Sequence, residues 1–291
     1  MLKHRLITGP ILSLGIIGIL VLDNLIAASA CPTCYFVKAG VILAILALIV
    51  TPLVAIEFGA IGEGLGIRTS VPMICITLAA WIAFFYFLPD TASSASTIAI
   101  ASSILIGSFF LSIVSIAKSK ALTGVIAGAS YSTMTATYLG LGFGFLLLIR
   151  REHDALWILG IIAIVKMCDT GAFFTGCSFG KHKLIPWISP GKTREGLIGG
   201  VATASLTAML LASLNNAYLQ DEPTISLVFA SICGFILGLF GQCGDLVMSI
   251  FKRDSGLKDS SAVLPGLGGV LDVLDSLILT SPIAYWLFQL L

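Results

Sequence analysis

The chain has 291 residues, of which 57% are hydrophobic and only 11% are charged, and its formal net charge is +1. A soluble globular domain carries about 25% charged residues, so this chain has too little polar surface to face water on all sides. Its composition and its mean hydropathy of +1.05 exclude a soluble globular domain and predict an all-α polytopic membrane protein.

Nine apolar stretches come close to the roughly 20 residues that a membrane-spanning helix needs. They lie at about 6–28, 36–56, 71–89, 95–117, 121–149, 155–176, 196–214, 226–250 and 270–290. The fifth is rich in Gly, Ser and Thr, which favours close helix packing and leaves a tilt, a kink or a break open. The sequence therefore predicts about nine transmembrane helices.

Two features near the N-terminus each allow two interpretations. Lys3 and Arg5, followed by an apolar run and "AASAC", resemble a secretory signal, but we prefer an uncleaved first helix. In "CPTC", Cys31 and Cys34 form either a redox or metal pair or, as we prefer, two interfacial cysteines beside a turn proline. Because no second pair has zinc-ligand spacing, a zinc site of four cysteines is not supported.

The positive-inside rule orients the chain. With a cytoplasmic N-terminus, twelve of the 16 basic residues fall on the cytoplasmic side. They are Lys3, Arg5, Arg68, Lys118, Lys120, Lys181, Lys183, Lys192, Arg194, Lys252, Arg253 and Lys258. The exception is the "RREHD" loop with Arg150 and Arg151. This topology predicts that loops 177–195 and 251–269 lie on one cytoplasmic face, with the active site at the cytoplasmic helix ends.

Asp169 lies within the sixth apolar stretch, three residues after Lys166. An ionisable residue inside a span is costly and by default marks a functional site. The two residues form either a self-neutralising pair or, as we favour, part of a polar cavity that Asp169 lines.

The loop that follows, "GKHKLIPWISPGKTREG", is basic. It is either a positive-inside anchor or a phosphate-contacting loop, because the N-terminus of the next helix favours an anion and Thr193 can help to start that helix. "GKT" is not part of a Walker A loop, since Pro186 stands where the first glycine would be. We predict that substrate phosphate is bound by Asp169, Lys183, Lys192 and Thr193.

Residues 245–275, "DLVMSIFKRDSGLKDSSAVLPGLGGVLDVLD", concentrate charge between apolar runs. Asp245, Ser249 and Lys252 share one helical face, and so do Asp272 and Asp275. Juxtamembrane salt bridges would explain any one pair, but they explain three aspartates together poorly. Carboxylates beside lysine and arginine are typical of a site for magnesium and phosphate.

The same segment resembles the signature of the phosphatidate cytidylyltransferase family, the CDP-diacylglycerol synthases. The residues that match in order and spacing are Ser249, Lys252, Arg253, Lys258, Asp259, Pro265, Gly266, Gly268, Gly269, Asp272 and Asp275. Upstream, "GQCGDLVMS" and "DTGAFFTGCSFGKHKLIPWISPGKTREGLIGG" are similar to further family segments. The resemblance covers about residues 140–291.

Three positions depart from the family pattern. Leu267 replaces a histidine, Val273 an arginine and Gly191 a lysine. These losses leave altered substrate choice, slower turnover or inactivity open. Since the aspartates predicted to bind metal remain, we expect catalysis.

The resemblance implies transfer of a cytidylyl group from CTP to phosphatidic acid, which gives CDP-diacylglycerol and pyrophosphate in phospholipid biosynthesis. Its partners are then CTP and phosphatidic acid in the cell (inner) membrane. A homodimer is left open, and no nucleic-acid partner is expected. The alternatives are a cytidylyltransferase for another lipid phosphate, an inactive relative and, less favoured, a cation-coupled transporter.

The roles that we predict follow from charge. Mg²⁺ is held by Asp245, Asp272 and Asp275, and a second cation is left open. The catalytic residues are Lys252, Arg253, Lys258, Asp259 and Ser249. By function, we divide the chain into N-terminal transmembrane helices (1–120) and a C-terminal catalytic region (121–291).

Overall fold

The computed structural model describes residues 2–29, 38–89, 91–118, 120, 122–218, 224–264, 266 and 268–291. Within these ranges the chain forms nine α-helices and one antiparallel β-hairpin. In chain order they are α1 (Leu2–Ser29), α2 (Val41–Gly64), α3 (Val71–Phe87), α4 (Ser94–Ala117), α5 (Val125–Glu152), α6 (Ala155–Phe179), β1 (Lys183–Ile185), β2 (Ser189–Thr193), α7 (Arg194–Tyr218), α8 (Leu227–Asp254) and α9 (Leu271–Phe288). Cys31, Cys34, Pro265 and Leu267 lie outside the described residues.

Eight of the helices in the described ranges are long and apolar enough to cross a membrane. The remaining helix, α3, has 17 residues and is apolar, and its side chains Ile74, Leu78 and Ile82 are buried. The predicted all-α polytopic fold is confirmed, and the protein is a multi-pass membrane protein. Its predicted orientation, with a cytoplasmic N-terminus, stays a prediction.

The first of two compact units comprises Met1–Ala155 and Phe251–Val273. In it, α3 packs against α2, α4 and α5. The glycine-rich α5 is a single unbroken helix, so the break that the sequence left open does not occur. Gly140 lies against Trp81 and Gly144 against Phe85, with no room for a Cβ atom at either glycine. Small residues in α5 therefore allow the close packing that the sequence predicted.

A buried ion pair joins α1 to α5 within this unit. Arg150 Nε donates to Asp23 Oδ2 at 2.6 Å, and both side chains are almost fully buried. The same carboxylate accepts the backbone N–H groups of Gly40 at 3.1 Å and Ile42 at 2.9 Å, which belong to the start of α2. Arg150, an exception to the predicted charge bias, thus has a structural role.

The second unit comprises Leu156–Ile250 and Leu274–Leu291. In it, Gly234 and Gly238 of α8 lie against Ala204 of α7, again with no room for a Cβ atom. The Cys168 thiol of α6 donates to the Gly238 carbonyl at 3.5 Å. These contacts pack α6, α7 and α8 closely together. The two units are defined by how compactly their residues pack, not by function. The functional division at residue 120 therefore stays a prediction.

The β-hairpin occupies loop 177–195, for which the sequence analysis predicted no strands. Lys183 pairs with Thr193, and Ile185 pairs with Ser189. The Thr193 hydroxyl accepts the Gly196 N–H at 3.0 Å, which confirms that Thr193 helps to start α7. The Glu195 carboxylate accepts the His182 N–H and lies 2.6 Å from His182 Nδ1, so it fixes the chain leading into β1.

The first prediction concerns Arg150. We expect Arg150→Met to lower the free energy of unfolding by about 3–5 kcal/mol, because it leaves the Asp23 carboxylate buried without a cation. The measurement is thermal unfolding in detergent, compared with Arg151→Met, whose guanidinium donates to the Phe85 carbonyl at 3.3 Å. The double variant Asp23→Asn with Arg150→Met should be more stable than Arg150→Met alone. Equal losses for Arg150→Met and Arg151→Met would contradict the assignment.

Candidate active site

The predicted site residues are divided between the two units. The first unit contains Lys252, Arg253, Lys258, Asp259 and Asp272. The second contains Asp169, Lys183, Lys192, Thr193, Asp245, Ser249 and Asp275. Each unit has a hydrogen-bond network of its own around some of these residues.

In the first unit, Lys252 and Asp272 form a largely buried ion pair. Lys252 is in the last turn of α8 and Asp272 in the first turn of α9. Lys252 Nζ lies 2.5 Å from Asp272 Oδ1, and each side chain is only 11% exposed. The pair therefore fixes an ammonium group with little freedom to move.

The second oxygen of Asp272 organises the segment before α9. Asp272 Oδ2 accepts from the Ser260 N–H at 3.0 Å, the Ser260 hydroxyl at 3.0 Å and the Gly269 N–H at 2.8 Å. With Lys252, the carboxylate faces four donors, but the Ser260 hydroxyl has a single hydrogen, which Asp272 shares with Glu57. Asp272 thus has the part of a structural anchor for residues 260–269.

The other predicted residues of this unit lie nearer the surface. Arg253, Lys258 and Asp259 have exposed side chains, and the two cations are thus placed where a soluble nucleotide could meet them. Val273, which departs from the family pattern, is partly buried on α9. The catalytic roles of Lys258 and Asp259 stay predictions.

The sequence analysis missed Glu57 of α2, which is 2% exposed in the same unit. Its carboxylate accepts hydrogen bonds from the hydroxyl groups of Ser260 and Ser261 and from the N–H groups of Val270 and Leu271, at 2.7–2.9 Å. The predicted second span ends at residue 56, so Glu57 falls one residue outside it. An acidic residue in "VAIEFGAIG" was the signal that could have identified the site.

In the second unit, a chain of contacts joins α6, β2 and α8. Asp169 Oδ2 lies 3.4 Å from Lys166 Nζ, and its Oδ1 accepts from Gln242 Nε2 at 2.7 Å. Lys192 Nζ then donates to Gln242 Oε1 at 2.9 Å and lies 2.5 Å from Asp245 Oδ2. Asp169 and Lys192, two predicted phosphate-binding residues, are therefore brought together. The sequence analysis missed Gln242 because a neutral amide gives no charge signal in an apolar run.

Three further predicted residues lie in this unit. Asp275 is 4% exposed, accepts the hydroxyl of Ser276 at 2.8 Å, and interacts electrostatically with Asp245. Ser249 is partly buried on α8, whereas Lys183 is exposed on β1.

The metal set can be tested against these contacts. Among the described residues, no group of three or more His, Cys, Asp and Glu side chains is placed to hold a metal ion. Asp245 and Asp275 nevertheless interact within one unit, and carboxylate oxygens are ligands that Mg²⁺ prefers. Asp272 accepts from Lys252, the Ser260 N–H and the Gly269 N–H, and it shares the single hydrogen of the Ser260 hydroxyl with Glu57. Asp245 is itself paired with Lys192, and Asp275 accepts from Ser276, so the full set of Asp245, Asp272 and Asp275 stays a prediction.

Comparison with known proteins identifies the family. The model of the "Cytidylyltransferase family" matches residues 4–291. The chain belongs to the cytidylyltransferase family. This result confirms the resemblance on which the sequence analysis relied.

Several relatives of this cytidylyltransferase-family protein are similar over part of their length. The phosphatidate cytidylyltransferase of Staphylococcus aureus (strain COL) is 43% identical over 155 residues, which are 53% of this chain and 57% of that protein. The phosphatidate cytidylyltransferase of Bacillus subtilis (strain 168) is 36% identical over 162 residues, or 55% of this chain and 58% of that protein. The uncharacterized protein YnbB of Escherichia coli (strain K12) is 40% identical over 138 residues, or 47% and 44%. The chain thus spans about half the length of the curated relatives it matches.

Gln242 provides a test of the network in the second unit. We expect Gln242→Leu to destabilise the protein by about 1.5–3 kcal/mol, because Asp169 and Lys192 each lose a hydrogen-bond partner of a charged group. Thermal unfolding in detergent measures the loss, and Gln289→Leu at an exposed position is the control. A Gln242→Leu protein as stable as the control would show that the amide does not connect these groups.

Proposed function

We propose that the protein transfers a cytidylyl group from CTP to phosphatidic acid and produces CDP-diacylglycerol and pyrophosphate. The observation that carries this proposal is the family match over residues 4–291. Relatives that are 36% and 43% identical bear the name phosphatidate cytidylyltransferase, which supports this lipid phosphate as the substrate. The site chemistry is consistent with a reaction between two anions.

The reaction requires charge neutralisation more than proton transfer. An oxygen of the lipid phosphate attacks the α-phosphorus of CTP. The bond from that phosphorus to the oxygen shared with the β-phosphate breaks, and pyrophosphate leaves with the bonding electrons. Because the lipid phosphate is already ionised at neutral pH, no strong general base is needed. Positioning and electrostatic stabilisation then supply most of the rate.

The basic residues have complementary roles in this proposal. Lys252, fixed by Asp272, provides a positioned charge. Arg253 and Lys258 are exposed cations that can pair with the phosphate oxygens of a bound nucleotide. Within the second unit, Lys192 is likewise a positioned ammonium group, through its contacts with Gln242 and Asp245.

Mg²⁺ is the proposed cofactor, with Asp245 and Asp275 as its protein ligands. When bound, it would neutralise nucleotide phosphates and stabilise the charge on the leaving oxygen. Gln242 orients Asp169 and Lys192 around Asp245 by hydrogen bonds, so these residues would keep Asp245 in a fixed position. In this proposal, Asp272 positions Lys252 and is not a metal ligand.

The proposed location is the cell (inner) membrane. Diacylglycerol chains stay in the bilayer, whereas CTP is soluble in the cytoplasm. A multi-pass protein with a site at the cytoplasmic helix ends would give both substrates access. Exposed charged residues in 251–259 are consistent with such a site.

Lys258 provides the direct test of activity. We expect Lys258→Ala to reduce product formation from labelled CTP and phosphatidic acid by about 10²-fold or more, because a phosphate loses its counter-charge. Its thermal stability should not change, since the side chain is exposed. Lys118→Ala, at another exposed lysine, is the control.

Parallel reactions with an isoprenoid phosphate and an ether-lipid phosphate examine the alternative substrate classes. Faster turnover of either one would assign the protein to that substrate instead. An absence of pyrophosphate release with every lipid phosphate would overturn the proposed activity.

Metal removal tests the cofactor. We expect activity to be lost in EDTA and restored by Mg²⁺, and Asp245→Asn to raise the Mg²⁺ concentration for half-maximal activity at least about tenfold. The reason is that an amide replaces an anionic ligand. Asp154→Asn, at an exposed aspartate, should leave the Mg²⁺ dependence unchanged. Full activity in EDTA, or the same Mg²⁺ dependence for Asp245→Asn and Asp154→Asn, would refute the assignment.

A further inference from the structure

Glu57 is a buried carboxylate in surroundings that disfavour one. It lies in α2 between Val54, Phe58 and Ile61, each of which is 0% exposed. Leaving an ionised group without partners in such a place costs several kcal/mol. Glu57 is therefore retained there only with strong compensation.

Among the residues that the structure describes, the hydrogen bonds to Glu57 come from the segment that carries the family signature. Glu57 Oε1 accepts from the Ser261 hydroxyl at 2.7 Å and the Val270 N–H at 2.9 Å. Glu57 Oε2 accepts from the Ser260 hydroxyl at 2.9 Å and the Leu271 N–H at 2.9 Å. The carboxylate thus connects both ends of the 260–271 segment, and it lies at the N-terminus of α9, where an anion is favoured.

The approach of the chain to this carboxylate requires a glycine. A Cβ atom at Gly269 would lie 2.6 Å from both carboxylate oxygens of Glu57. The signature glycine at this position therefore allows the backbone to come close enough to donate from Val270 and Leu271.

The Glu57 contacts continue directly to the ion pair of the candidate site. The Ser260 hydroxyl lies 2.9 Å from Glu57 Oε2 and 3.0 Å from Asp272 Oδ2, so it is shared between the two carboxylates. Asp272 in turn binds Lys252 at 2.5 Å. A displacement of Glu57 would consequently be transmitted through Ser260 to Asp272 and Lys252.

We propose that Glu57 is a positioning residue for cytidylyl transfer, which it serves by fixing the 260–271 segment and, through it, Lys252 and the neighbouring Lys258. This inference rests on the proposed function. Glu57 contacts no reacting group in this assignment. Its effect is on the geometry of residues that bind phosphate, and a displacement of about 1 Å at such residues can cost about 10²-fold in rate.

The test replaces Glu57 with glutamine. The amide keeps the shape of the side chain. Its NH₂ group, however, is a donor, and it would face the donors from which a carboxylate oxygen of Glu57 accepts hydrogen bonds. We expect kcat per folded enzyme to fall at least about tenfold, with a smaller change in KM for CTP. Glu57→Asp, which retains an acceptor-only side chain, should lose less activity than Glu57→Gln. Glu63→Gln, at an exposed glutamate of the same helix, is the matched control.

A second measurement does not depend on activity. Ala262 is exposed within the segment, so Ala262→Cys gives a maleimide-labelling site that site-resolved mass spectrometry separates from the native cysteines. We expect Glu57→Gln to accelerate labelling at residue 262, and Glu63→Gln to leave it unchanged. If Glu57→Gln does not fold, Ser261→Ala removes a single donor to Glu57 and should accelerate labelling in the same direction.

The outcomes separate the two proposals. Faster labelling with no cytidylyl transfer, even by the wild type, would refute the proposed function and support the structural effect of Glu57. A Glu57→Gln enzyme with kcat within about twofold of wild type and unchanged labelling would overturn the positioning role. A lower yield of folded protein, with normal kcat and KM for the folded part, would also overturn it, because only stability would then depend on Glu57.

Discussion

A carboxylate buried in an apolar protein must find donors within the protein, and this constraint governs the charged residues of both units. Glu57 and Asp23 are each at most 2% exposed, so neither can rely on water. Each is connected to a different stretch of chain, Glu57 to the signature segment and Asp23 to the start of α2 and to α5. Because an unpaired buried charge costs several kcal/mol, these contacts restrict how the helices can be arranged.

The charges of Asp23 and Glu57 are compensated by different kinds of group, and the two residues have different structural roles. Asp23 is paired with the guanidinium of Arg150, which cancels its charge at close range. Glu57 accepts from neutral hydroxyl and N–H groups, which satisfy its lone pairs but leave its charge in place. The Glu57 carboxylate thus remains close to Asp272, with which it shares the Ser260 hydroxyl. The first arrangement joins helices, whereas the second joins α2 to residues on both sides of the loop that precedes α9.

Most of the helical fold and the signature residues could be predicted from the sequence, because apolar stretches of spanning length and charges inside them are local signals. The position of Glu57 could not, since the predicted span ended one residue before it and its partners are more than 200 residues away in the chain. Gln242 gave no signal, because a neutral amide becomes informative only when its partners Asp169 and Lys192 are known. The β-hairpin was missed because its strands have only 3 and 5 residues, too short for a periodic pattern.

The formal charges of the two networks leave one negative charge in each unit, so the groups around that charge are what differ. The network of the second unit contains the three carboxylates and two ammonium groups of Asp169, Asp245, Asp275, Lys166 and Lys192. One negative charge is therefore left over, and Asp275, buried beside Asp245, accepts from Ser276. In the first unit the corresponding excess, on Glu57, faces four donors and the N-terminus of α9. Because like charges at close range raise the free energy of an ionised pair, a divalent cation bound to Asp245 and Asp275, as proposed, would lower that free energy. The signature aspartates Asp272 and Asp275, three residues apart on one helix, are thus expected to differ in role: one orders a loop and the other binds metal.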